Sequence, residues 1–125
     1  MSARPPPAPG TIVWRDLTVP DAGSLQQFYC DVVGWRSESF EGDFNMIPPG
    51  ASDPVAGICH ARGVNANLPA QWLLYVSVSD LDRSLRTAKE LGGTVVDGPR
   101  PSGSGRLAVI QDPAGAVIAL YKPTA

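Results

Sequence analysis

Two stretches of this sequence share a spacing that their letters hide. In each, an apolar run leads into an aspartate and then, after equal intervals, a glycine: Asp21 to Gly34, and Asp80 to Gly93. The runs before them, Thr11 to Val19 (TIVWRDLTV) and Trp72 to Val78 (WLLYVSV), have strand composition and partial alternation. Each aspartate is a helix N-cap, and each glycine is a helix stop. The first helix is expected to run through Trp35, with Leu25, Phe28 and Val32 on one face. The second carries Leu81, Leu85, Ala88 and Leu91 and stops at Gly92-Gly93. Short strands follow both helices: Trp35 to Phe40, Phe44 to Ile47 and Val55 to Ala61, then Gly93 to Val96, Leu107 to Gln111 and Ala116 to Tyr121. Asp112-Pro113-Ala114-Gly115 is a hairpin turn, since Pro presets φ and Gly accepts φ > 0. The chain therefore reads as β-α-β-β-β twice, an α+β architecture. Two helices cover only part of so many strands, and the uncovered face is where a pocket would form.

A chain of 125 residues suits one domain. We read it as residues 10–125, with modules of about 10–65 and 70–125 behind a flexible proline-rich arm, residues 1–9 (MSARPPPAP). With 43% hydrophobic and 18% charged residues, wholesale disorder and a membrane protein are both excluded. Lys+Arg of 10 against Asp+Glu of 12 gives a net charge of −2, and no basic run exists to track a phosphate backbone. Nucleic acid is not an expected partner. The two cysteines, Cys30 and Cys59, cannot build a disulfide scaffold or a thiolate zinc site, and suit a reducing compartment. With no targeting segment visible, the cytoplasm is expected. The single histidine, His60, excludes a multi-histidine site within one chain.

The motifs, in this order, resemble the vicinal oxygen chelate superfamily of glyoxalases, bleomycin-resistance proteins and extradiol dioxygenases. The carrying residues are Leu17-Thr18-Val19-Pro20-Asp21, Phe28-Tyr29 through Gly34-Trp35, Val76-Ser77-Val78-Ser79-Asp80, Leu91-Gly92-Gly93 and Asp112-Pro113-Ala114-Gly115. The resemblance covers about Gly10 to Lys122. It implies two βαβββ modules forming an incurved mixed β-sheet with a cavity, and commonly a homodimer. In catalytic members His, Glu or Gln side chains hold a divalent metal. The matching places here are Trp14, Leu73, Ala119, and Gly57 or, with a shifted register, Cys59. Trp, Leu and Ala cannot coordinate such an ion, so the resemblance implies the fold and the pocket without metal or other cofactor.

Candidate chemistry then rests on few residues. Asp16 lies two residues after Trp14, so both point to one face of the first strand. If that face is the cavity, Asp16 is a base or hydrogen-bond anchor; otherwise it pairs with an arginine. Cys59 and His60 are adjacent and cannot share a strand face, so they form no ready-made nucleophile and base. His60 could instead meet Asp16 or Cys30 from another element, and Asp16 with His60 is the candidate catalytic pair. Cys30 and Trp35 read as packing. Trp14, Trp72, Tyr75 and Tyr121 are candidates for a ligand-stacking wall, with Cys59 beside them; Trp72 and Tyr75, three apart, face opposite ways. Ser102-Gly103-Ser104-Gly105-Arg106 reads as a flexible loop at the cavity rim, where Arg106 could meet an anionic ligand.

Three functions are open at this point. One is metal-free binding of a small, aromatic or planar molecule. Another is a glyoxalase-like lyase or dioxygenase-like enzyme, metal-free or with displaced ligands. The last is a structural or regulatory dimer with a vestigial cavity.

Overall fold

The computed structural model describes residues 7–124. It is an α+β fold with β1 (Ile12–Val19), α1 (Ala22–Val33), β2 (Arg36–Phe40), β3 (Asp43–Ile47), β4 (Ala56–His60), β5 (Trp72–Ser77), α2 (Leu81–Glu90), β6 (Thr94–Ser102), β7 (Gly105–Gln111) and β8 (Val117–Lys122). The contacts divide it into two compact units. The first is Trp14–Leu73; the second joins the residues up to Val13 to those from Leu74 onward.

Both units have the same topology. In the first the strand order is β2-β3-β4-β1, and in the second it is β6-β7-β8-β5. β1 runs parallel to β4, and β5 runs parallel to β8. The remaining pairings within each unit are antiparallel. The doubled pattern of the sequence is thus a doubled, mixed-strand structure.

The helix signals act as expected. Asp21 accepts the Ser24 backbone N–H at 3.0 Å and its hydroxyl at 2.7 Å, and these bonds hold the Asp21 carboxyl below its ordinary value. Asp80 accepts the Arg83 N–H at 3.1 Å. α1 stops at Val33 rather than Trp35, because Gly34 turns left-handed (φ 86°) and donates its N–H to the Cys30 carbonyl. Trp35 lies beyond the cap and packs against Tyr29 and Trp72. In the Asp112 turn, the carboxylate accepts the N–H groups of Ala114 and Ala116, and Gly115 has φ 93°.

Two further expectations are corrected. The inward face of α1 is Ala22, Leu25, Tyr29 and Cys30, packed with Leu17, Val19, Met46 and Ile58. Phe28 and Val32 lie outside, 54% and 64% exposed. Several apolar residues make more than one stripe possible on this helix, and only the packing partner selects among them. Residues 102–106 are not a flexible loop. Ser102 pairs with Gly105, so Gly103-Ser104 is a two-residue hairpin turn between long strands. β6 carries Pro99 and Pro101 because it is an edge strand, with two register shifts along its length. The described end of the proline-rich arm makes hydrogen bonds within the second unit: the Ser77 hydroxyl donates to the Pro7 carbonyl at 3.5 Å, and Gly10 N–H to Ser77 O at 2.7 Å. Residues 1–6 of that arm lie outside the described residues.

Candidate functional site

The register of the first unit builds one polar face. Asp16 on β1 lies opposite Gly57 on β4, and Gly57 lies opposite Asn45 on β3. Alternation then adds Trp14 from β1, Cys59 from β4 and Asp43 from β3 to the same face. These six residues, with Phe40, Glu41 and Phe44, line a cavity of about 400 Å³. The opposite face of the same strands carries Leu17, Val19, Met46 and Ile58 into the core under α1.

Two aspartates are held in place here. The Trp14 indole N–H donates to Asp16 Oδ1 at 2.7 Å. The neighbouring indole on its own strand is thus one partner of Asp16. Asp43 Oδ1 accepts the backbone N–H of His60 at 2.9 Å. The β2–β3 hairpin brings Glu41 and Phe40 to the cavity. Its turn needs two left-handed residues, Glu41 (φ 51°) and Gly42 (φ 86°), as in two-residue hairpins of type I′. Among the described residues, the lining contains three carboxylates and no lysine or arginine; Arg62 holds its guanidinium close over Gly42 instead. Burial pushes the Cys59 thiol up to about 12, with the charges of Asp16 and Asp43 adding to the effect. It is a protonated, weakly polar wall at neutral pH, not a nucleophile.

The other candidate residues are not among those that line this cavity. His60 sits at the end of β4, half-buried, with its ring 6.4 Å from that of Phe44, and is not among the lining residues. Trp72 belongs to the aromatic cluster beside α1, donating its indole N–H to the Tyr29 hydroxyl at 3.1 Å. It also lines an apolar groove with Arg15, Trp35, Val55 and Ala56. Tyr75, Tyr121 and Arg106 belong to the second unit. Tyr75 pairs with Ala119 in the β5–β8 ladder. Tyr121 lies over Gly105, where a Cβ would stand 2.7 Å from its hydroxyl. Arg106 meets Asp82 at 3.6 Å, both exposed. Asp43, Asn45, Glu41 and Phe40 escaped the sequence reading. The alternation Asp43-x-Asn45 was a usable signal, but nothing before the register says which face of β3 meets Asp16.

The resemblance matches two places of the first unit to metal ligands: Trp14, and Gly57 or Cys59. At the two matching places stand an indole, whose nitrogen has no free lone pair, and either a glycine without a side chain or a thiol that stays protonated. Among the described residues, no group of three or more His, Cys, Asp or Glu is arranged to hold a metal ion. Among them, too, no helix is long and apolar enough to cross a membrane.

A family model described as a glyoxalase-like domain matches residues 12–121. An anthracycline biosynthesis protein from Streptomyces peucetius is 29% identical over 92% of this chain and 48% of its own length. The chain spans about half the length of the curated relatives it matches. Among solved structures, a glyoxalase/bleomycin resistance protein/dioxygenase superfamily member from Vibrio splendidus 12B01 has a TM-score of 0.59 with 15% identity, covering 90% of this chain and 99% of that one. Methylmalonyl-CoA epimerase from Mycobacterium tuberculosis has a TM-score of 0.53 at 20% identity, covering 93% and 89%. At these identities the two structures bear on the fold alone.

Proposed function

Because the chain belongs to the glyoxalase-like domain family, we propose that the cavity of its first unit binds a small planar molecule carrying a cationic hydrogen-bond donor, without a metal ion. The observation that carries this reading is the Trp14–Asp16 hydrogen bond inside the cavity. It presents an aromatic surface and an oriented acceptor together, which suits a flat ligand with a donor at its edge. Three lining carboxylates with no lining cation among the described residues favour a positive ligand. The similar Streptomyces peucetius protein is named for anthracycline biosynthesis, and an anthracycline contains a planar aromatic system, which accords with this ligand class. The enzymatic alternative, proton transfer by Asp16 with His60, gains no support, since His60 does not line the cavity.

Matched dyes test the reading. 9-Aminoacridinium should bind and quench tryptophan fluorescence, while acridine-9-carboxylate should not, and Asp16→Asn should reduce the preference. Equal binding of both dyes would overturn it. So would one tightly held divalent ion per chain after incubation with Zn²⁺ or Mn²⁺ and desalting, lost in Asp16→Ala.

A further inference from the structure

We propose that Gly57 is the positioning residue of this cavity: its missing side chain is the space that the Asp16 carboxylate occupies when it bonds to Trp14. Parallel pairing sets Gly57 directly opposite Asp16. A Cβ built on Gly57 would collide with Asp16 Oδ1, the same oxygen that accepts the indole N–H, and would stand 3.5 Å from Trp14 Nε1. Backbone conformation does not call for this glycine. Gly57 is absent from the positive-φ residues and lies within a regular strand, flanked by buried Ala56 and Ile58. A glycine inside a strand weakens it, and one reason to find it there is the close approach of another group. Here that group is a carboxylate.

The consequence is geometric. Any side chain at position 57 forces the Asp16 carboxylate off the cavity floor, breaks its alignment with the indole and removes the oriented acceptor. Gly57 touches no reacting atom and acts through Asp16. The consequence for ligand recognition rests on the binding reading above; the positioning itself does not.

The experiment separates the two. The Trp14 indole N–H signal in a ¹H–¹⁵N spectrum of the full chain, assigned with Trp14→Phe, reports its bond to Asp16. Gly57→Ala should move that signal in the same direction as Asp16→Asn and leave signals of the second unit in place. Shortening the opposing side chain should make the alanine harmless, so Asp16→Ser/Gly57→Ala should be as stable as Asp16→Ser alone. This second comparison holds even if Gly57→Ala by itself does not fold. An unmoved indole signal in Gly57→Ala, or a double variant that is clearly less stable than Asp16→Ser, would overturn the positioning role. With 9-aminoacridinium as the probe, Gly57→Ala should weaken binding about tenfold or more, the loss of one charge-assisted hydrogen bond. If the dye does not bind the wild type, the binding reading fails while the indole and stability results still decide the role of Gly57.

Discussion

Asp43, the first residue of β3, accepts the backbone N–H of His60, the last residue of β4, at 2.9 Å. The bond ties the open end of the β3–β4 ladder and holds a carboxylate on the cavity wall next to Cys59. His60 thus serves the site through its main chain, while its ring turns to Phe44. With Asp16 anchored by Trp14, two of the three lining carboxylates have oriented partners.

Cys59 should react slowly with alkylating agents. Its thiol is raised from 9.0 to about 12, first by burial and then by Asp16 and Asp43. At pH 8 it should hold roughly a thousandfold less thiolate than an ordinary cysteine. Peptide-resolved mass spectrometry after iodoacetamide treatment should find Cys59 unmodified in the native protein and modified in urea. Asp43→Asn should speed the reaction only partly, because burial is the larger cause. The unfolded chain loses this proton near pH 9 and the folded chain near 12. The Cys59 contribution to stability should therefore fall as pH rises across that interval, measurable in urea titrations.

Trp14→Phe should lower stability by about 1–2 kcal/mol, the cost of removing a hydrogen bond to a carboxylate while keeping most of the aromatic packing. Asp16→Asn should cost less, since the amide oxygen still accepts from the indole. Urea denaturation of the two variants decides the order.

Glu41 occupies left-handed backbone space that β-hairpin turns normally give to Asn, Asp or Gly. Glu41→Asn should raise stability by about 0.5–1 kcal/mol in thermal or urea unfolding. Removing one lining carboxylate should also weaken the binding of 9-aminoacridinium.

Arg106→Ala should change little, about 0.5 kcal/mol or less, because its ion pair with Asp82 is long and exposed. Dye binding in the first unit should be unaltered, measured by the same fluorescence titration.

We expect two copies to associate. Among the described strands, β2 and β6 each end the order of their unit, and Phe28 and Val32 are exposed on α1. Sedimentation at micromolar concentration should give twice the mass of one chain; a monomer would contradict the expectation.

The residues that act through short-range chemistry were legible from the sequence. Asp21 and Asp80 cap helices because a carboxylate reaches an N–H three residues on, wherever the chain goes next. Gly34 ends α1 and Asp112-Pro113-Ala114-Gly115 turns the chain for equally local reasons. The shared face of Trp14 and Asp16 also followed from the two-residue period of one strand. Facts that depend on which strand lies beside which were not legible. Only the pairing of β1, β4 and β3 sets Asp16, Gly57 and Asn45 in line and brings Asp43 to Cys59. Only the sheet under α1 selects Ala22, Leu25 and Tyr29 over Phe28 and Val32 as its inward face. Trp72 had the composition of a ligand wall, yet its indole bonds to Tyr29, a residue distant in the chain that tertiary packing brings within 3.1 Å. Caps and turns are determined by neighbours along the chain. The composition of a cavity is determined by register and packing between segments, which no local preference encodes.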